Sequence, residues 1–216
     1  MAKRSKKQKW ASQSVPVARS QAKEPLLILK EKLFLLQGLV IVAATLWIFW
    51  PALHGEWLWD DDILVKNNPI VHDPAGLSKI WFEPMYLMDF FPLKVSVEWL
   101  EWQLWQNNVL GYHLLNIILH IISSLLIWRL LSKLGLRLAW LGGLIFAIHP
   151  VTVESVAWIA ELKNTLSLPP LLLAMCAWID YDERGNPKDY FLALVLFLVA
   201  MLCKTTVVML PVVILL

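Results

Sequence analysis

The residues best suited to chemistry are three adjacent carboxylates, Asp60, Asp61 and Asp62, which follow Trp59 just beyond a long apolar run. Adjacent carboxylates repel one another, so such a cluster raises at least one pKa or holds a cation. Either outcome suits a general base or a divalent-metal site at a membrane surface. The bland reading of the same residues is a solvated acidic loop.

A second group is His149-Pro150-Val151-Thr152-Val153-Glu154-Ser155, followed by Trp158, Glu161, Lys163 and Asn164. Glu154, Trp158 and Glu161 stand at i, i+4 and i+7. A helix starting after Pro150 therefore places them on one face, with Lys163 near its end. His149 and Glu154 offer two metal ligands without a third, and otherwise mark an interfacial helix end. Lys163 suits a phosphate partner or a snorkelling role at the interface. Lys204 interrupts two apolar runs and is a candidate for an anionic headgroup or lipid phosphate. His113, Asn116 and His120 form a polar stripe at i, i+3 and i+7 on an otherwise apolar stretch. In a membrane such a stripe faces protein, either as interhelical hydrogen-bonding groups or as a transport pathway.

These groups must be positioned by membrane helices. Apolar residues make up 58% of the 216-residue chain and charged residues only 17%, against the ~25% charged usual in soluble domains. That composition excludes an ordinary soluble enzyme. Runs near the ~20 residues needed to cross a bilayer are expected at 33–53, 112–131, 138–149, 165–180 and 190–203, with another begun at 207–216. The expected fold is an all-α membrane protein of about five to six spans. The last run is about half a span, so the sequence reads as an N-terminal piece. Cys176 and Cys203 both fall in spans and imply neither a disulfide nor a metal pair.

Charge sets the orientation. Lys3, Arg4, Lys6, Lys7, Lys9, Arg19, Lys23, Lys30 and Lys32 all precede the first span. Residues 1–32 therefore read as a basic cytoplasmic tail, disordered by composition, whose partner is anionic lipid and not nucleic acid. The apolar run that follows has no small-x-small cleavage site and reads as an anchor. The connection 54–111 carries Asp60, Asp61, Asp62, Asp73, Glu83, Asp89, Glu98 and Glu101 against Lys66, Lys79 and Lys94, which assigns it to the outer side. Within it Trp99, Trp102 and Trp105 recur every third residue beside Glu98 and Glu101. This spacing predicts an amphipathic helix lying flat on the outer membrane surface with its indoles among the headgroups. Arg129, Lys133 and Arg137 make a basic cytoplasmic turn, whereas the acidic 180–189 connection is placed inside by parity alone. The Trp-rich, short-looped style suggests a bacterial inner membrane.

The order of motifs carries a resemblance. Trp59-Asp60-Asp61-Asp62, Phe91-Pro92-Leu93, Gly111-Tyr112-His113-Leu114-Leu115-Asn116 with Leu119-His120, the His149 to Ile159 segment, and Lys204-Thr205 to Pro211 follow one another. Together they resemble the N-terminal membrane part of the transmembrane and tetratricopeptide-repeat-containing glycosyltransferases, from about residue 57 to the C-terminus. The resemblance implies a GT-C-like helical bundle with an acidic catalytic motif in its first outer loop. It implies transfer of a sugar from a polyprenyl-phosphate donor to a hydroxyl of a protein or glycan, as in protein O-mannosylation. Asp60 or Asp61 would be the general base, with Glu154 near the reacting centre. Lys163, Lys204 and His149 would meet the donor phosphate. A divalent cation stays open, with Asp60, Asp61 and Asp62 as its ligands if one binds. Relatives commonly have Arg where this chain has Leu162, which removes a planar, permanently charged fork. They also continue into helical repeats of ~34 residues. A transporter component and a catalytically inactive membrane scaffold are the alternatives.

Overall fold

The computed structural model describes residues 24–83 and 90–215. Most of the basic tail, residues 1–23, and Asp89 of the acidic loop lie outside the described residues. The chain divides into two compact units, residues 1–37 and 38–216, and the second holds every element that builds the site.

All regular structure among the described residues is helical. Helix α1 (Glu24–Phe49) ends where Pro51 enters a 3-10 turn, Trp50–His54. The outer segment folds into a π-helical turn (Asp62–Lys66) and the short helices α2 (Pro69–His72) and α3 (Gly76–Phe82). Helix α4 (Pro92–Trp105) completes it. Helix α5 (Val109–Lys133) starts at Asn108, whose side chain accepts the Leu110 N–H at 3.2 Å and satisfies one of the free donors of a helix start. Then come α6 (Ala139–Ile148), α7 (Val153–Ala157) and α8 (Leu162–Arg184). Helices α9 (Pro187–Cys203) and α10 (Leu210–Ile214) follow.

Local chemistry makes the α8–α9 hairpin. Gly185 takes φ +65° and closes α8 with a 2.7 Å bond to the Tyr181 carbonyl, Asn186 caps α9, and Pro187 opens it. Left-handed glycine after one helix and proline at the start of the next is the cheapest way to reverse the chain. Helix α6 lies close against α5 at Gly143, where an added Cβ would sit 2.7 Å from the Ser124 carbonyl and 2.9 Å from Trp128 Cβ. Ile41, Trp128, Ala139 and Ala147 form the core between α1, α5 and α6, and Leu130, Leu172 and Cys176 that between α5 and α8. Cys176 and Cys203 are both buried and free.

Among the described residues three helical stretches are long and apolar enough to cross a membrane, Glu31–His54, Val109–Lys133 and Ile159–Arg184. A fourth exists if Ala139–Ile148 and Pro150–Ala157, bent by 53°, count as one broken span. Helix α9 has 17 residues, about 25 Å at helical rise, at the lower end of the range that crosses a hydrocarbon core. Beyond Lys204, where another apolar run begins, the chain makes a 3-10 turn, Thr205–Met209, and then α10. Apolar composition continues through Pro150 and Lys204, but helix does not, because each break removes the ladder a span needs.

The close approach at Gly143 yields a stability prediction. Gly143→Val puts a branched side chain against backbone and is expected to destabilise the purified chain by about 1–3 kcal/mol. Thermal unfolding in detergent reads the change, and an unaltered melting temperature would mean that α5 and α6 are not held so tightly.

Candidate active site at the loop end of the bundle

The C-terminal ends of α1, α6 and α9 and the N-terminal ends of α5 and α8 meet the outer segment at one end of the second unit. Residues Leu58 to Asp61 make a tight turn, with the Asp61 N–H donating to the Leu58 carbonyl at 2.9 Å. The Asp61 carboxylate is fully buried: Oδ2 accepts the Leu58 N–H at 2.9 Å and Oδ1 the Ala160 N–H at 2.7 Å. Ala160 has a free N–H because the chain leaves helix at Trp158 (ψ 119°) and re-enters a 3-10 turn, Ile159–Glu161, whose first donors have no internal partner. Burial pushes the Asp61 carboxyl above the usual range, opposed by its bonds from Leu58 and Ala160, by the Trp158 side chain and by the Lys94 charge. The buried Trp158 indole N–H itself has no bond of good geometry.

The neighbouring carboxylates go elsewhere. Asp60 is exposed and Asp62 pairs with Lys66 at 3.1 Å. Trp59, at the second position of the turn, has φ +45°, leaves 74% of its surface exposed and meets Trp158 edge-to-face at 5.1 Å. Among the described residues no three His, Cys, Asp or Glu side chains are grouped so as to hold a metal ion.

Opposite charge arrives from α8 and α9. Lys163 pairs with Glu161 at 2.9 Å. Asn164 donates to Glu161 and, at 3.2 Å, to Ser155, and it accepts from Lys204. The two lysines, 41 positions apart in the numbering, thus share one polar cluster through Glu161 and Asn164. Leu162 is 1% exposed and points into the core, away from this cluster. His149 and Glu154 are exposed and do not join it. His149 Nδ1 accepts the Val151 N–H at 3.2 Å, so it caps the turn after α6. The single helix expected to carry Glu154, Trp158 and Glu161 on one face is not formed. Its backbone breaks at Trp158, and that break is what frees the Ala160 N–H for Asp61.

Helix α4 faces the opposite way from the one its Trp spacing predicts. Its acidic face is turned inward: Lys94, Glu98 and Glu101 are 5%, 1% and 3% exposed, and Lys94 Nζ lies 2.5 Å from Glu98 Oε1. The indoles are half-buried against the outer segment's own helices instead of lying free for headgroups. Trp99 donates to the Asp73 carbonyl at 2.8 Å, and Trp102 stacks on His72 at 3.7 Å. Trp99 and Trp102 also cover Ile70, Val71, Ile80 and Val95. The one signal for this group in the sequence is the i,i+4 spacing of Lys94 and Glu98. Burial raises the Glu98 carboxyl against the pull of Lys94, and raises Glu101 well above its usual range with help from the Glu98 charge. Glu101 Oε2 has no hydrogen-bond partner.

The polar stripe of α5 is used between helices. Asn116 Oδ1 accepts from the Thr165 hydroxyl at 2.6 Å, its Nδ2 donates to the Trp158 carbonyl at 3.4 Å, and His120 Nε2 bonds the Ala147 carbonyl at 3.1 Å. His113 is buried with both ring nitrogens unpartnered and lies against Gly55, where a Cβ would come within 2.9 Å of Nε2. The stripe therefore fixes the Trp158 segment and is packed among protein groups.

Residues 93–216, from the start of α4 to the end of the chain, match the family model described as dolichyl-phosphate-mannose-protein mannosyltransferase. The chain belongs to this family. Among curated relatives, the protein O-mannosyl-transferase F38B6.6 of Caenorhabditis elegans is 29% identical over 62% of this chain and 22% of its own length. Human protein O-mannosyl-transferase TMTC3 is 27% identical over 76% of this chain and 20% of its own. Human TMTC1 is 30% identical over 72% and 20%. The chain thus spans about a fifth of the length of these relatives. No solved structure matches it. The matched stretch contains the Lys94–Glu98–Glu101 group, the broken 149–161 segment and both site lysines, while Asp60 to Asp62 precede it.

Two predictions follow from the buried charges. Lys94→Met leaves Glu98 buried without its cation and is expected to cost about 3–5 kcal/mol in thermal unfolding. Glu101 is raised in the folded chain, so between its ordinary value of 4.5 and its raised one the folded state binds more protons than the unfolded state. Stability then falls as pH rises through that window. Glu101→Gln is expected to flatten this slope in melting curves taken from pH 4 upward, and an unchanged slope would contradict a protonated Glu101.

Proposed function

We propose that this chain is the N-terminal membrane part of a transferase that moves a sugar from a polyprenyl-phosphate donor to a hydroxyl of a protein or glycan. The observation that carries the reading is the bond from Ala160 to Asp61. It sets the acidic turn beside the segment whose next residues, Lys163 and Asn164, gather Lys204. A carboxylate for a proton and two ammonium groups for a leaving phosphate come together at one end of a membrane bundle, in a chain whose relatives are named O-mannosyl-transferases.

The roles divide by accessibility. Asp60 is exposed and takes the proton of the acceptor hydroxyl as general base. The hydroxyl oxygen attacks the anomeric carbon. The bond from that carbon to the phosphate oxygen breaks, and its electron pair leaves with the polyprenyl phosphate. Lys163 and Lys204 stabilise the charge that develops on that phosphate. Asp61, buried with both oxygens bonded to backbone, holds the turn in place. Glu154 and His149 stand apart from this group and have no step in the reaction. On this reading the site lies on the outer face, opposite a cytoplasmic N-terminus, in a bacterial inner membrane.

Transfer of radiolabelled mannose from a polyprenyl-phosphate donor, in membranes bearing the chain, tests the division of labour. Asp60→Asn is expected to lower the rate by about 10²–10⁴-fold with melting unchanged. Asp61→Asn presents an amide N–H to a backbone N–H and is expected to cost about 1–3 kcal/mol of stability as well as activity. Full activity in Asp60→Asn would remove the general base from the proposal.

A further inference from the structure

The turn that carries the acidic residues is built around an unsuitable residue. Trp59 sits at its second position with φ +45°, and Asp61 N–H closes the turn on the Leu58 carbonyl. Turns with positive φ at that position favour glycine, because an L side chain there crowds its own backbone. A bulky residue in that region is a genuine outlier, and strain of this kind persists where the surroundings hold it for a purpose. Core packing is not that purpose, since Trp59 is 74% exposed. Its ring contact is with Trp158, edge-to-face at 5.1 Å. Trp158 is the residue at which the 149–161 segment breaks from helix to deliver Ala160 to Asp61.

Three kinds of group are therefore linked through the Asp61–Ala160 bond: an exposed indole with a second indole at its side, an exposed carboxylate on the next residue, and the lysine pair on the segment that follows Ala160. A hexose ring carries C–H bonds on its faces and hydroxyls on its rim. The C–H bonds pack on the electron-rich face of an aromatic ring, and the hydroxyls donate to a carboxylate. A phosphate on the same molecule suits the lysines.

We propose that Trp59 is the platform for the donor's sugar ring, holding the hexose beside Asp60 while the phosphate meets Lys163 and Lys204. This rests on the transferase reading and adds a subsite to it. A headgroup anchor is the competing role for an exposed indole. Such an anchor needs neither a left-handed backbone nor a paired indole at the buried carboxylate.

Binding separates these roles without relying on turnover. The chain in nanodiscs is titrated with mannosyl polyprenyl phosphate and, separately, with the same polyprenyl phosphate lacking sugar. The unmodified chain is expected to prefer the sugar-bearing lipid by about tenfold or more, roughly 1.4 kcal/mol. Trp59→Phe keeps most of that preference. Trp59→Gly erases it while melting at the same temperature or higher, because glycine accepts the backbone angle. Retention of the preference in Trp59→Gly overturns the subsite and leaves the transferase reading standing. Equal weakening toward both lipids assigns the ring to the membrane and overturns the subsite. Failure of the unmodified chain to bind either lipid overturns the transferase reading, and the subsite with it.

Discussion

Asp61 joins two stretches of chain 99 residues apart, accepting the Leu58 N–H on one oxygen and the Ala160 N–H on the other, in a place where no water reaches it. Much else in the site depends on this contact. It sets the direction of the turn, and so exposes Asp60 and Trp59. It also requires a free donor at Ala160, which exists only because the chain interrupts its helix at Trp158. A continuous helix from Pro150 to Arg184 would have consumed that donor in its own ladder. The break then has to be held, and Asn116 of α5 does so by donating to the Trp158 carbonyl and accepting from Thr165 of α8.

Around this contact the protein gathers more charge than a bilayer-associated fold usually tolerates. Lys94, Glu98 and Glu101 are buried on α4, and Lys163, Glu161, Asn164 and Lys204 form a second polar cluster. Burying ions is costly, and paired ions repay little of the loss. Perturbed, buried charges of this kind are characteristic of functional sites. Glu98 and Asp61 share the field of Lys94, so the α4 charges form part of the environment of the acidic turn.

The remainder of the fold is support. α5 and α8 are long enough to span, and α8 reverses into α9 through Gly185 and Pro187, so Lys204 returns to the level of Lys163. Glycines at 55 and 111 sit where a Cβ would strike His113 or Trp105, which lets the elements at that end pack closely, and Gly143 does the same between α6 and the middle of α5. Leu162 belongs to the core, and the polar cluster beside it takes its cations from Lys163 and Lys204.

Composition and hydropathy were enough to determine a helical membrane protein and the places of α1, α5 and α8, and the order of motifs pointed to the family. These depend on length, apolarity and motif order, which are properties of single segments. That Lys163 and Lys204 lie at one end of the bundle, and that the α5 stripe faces protein, was also legible. Tertiary structure alone decided which carboxylate is buried and which is free, because burial depends on a donor 99 residues away. It alone showed that α4 turns its acids inward: periodicity finds the two faces of a helix but not which one meets the core, and here the indoles pack on α2 and α3 while the Lys94–Glu98 pair is buried. The breaks at Pro150, Trp158 and Lys204 were hidden for the same reason, since the apolar pattern runs across them and only the partners waiting on other helices make a broken ladder worth its cost.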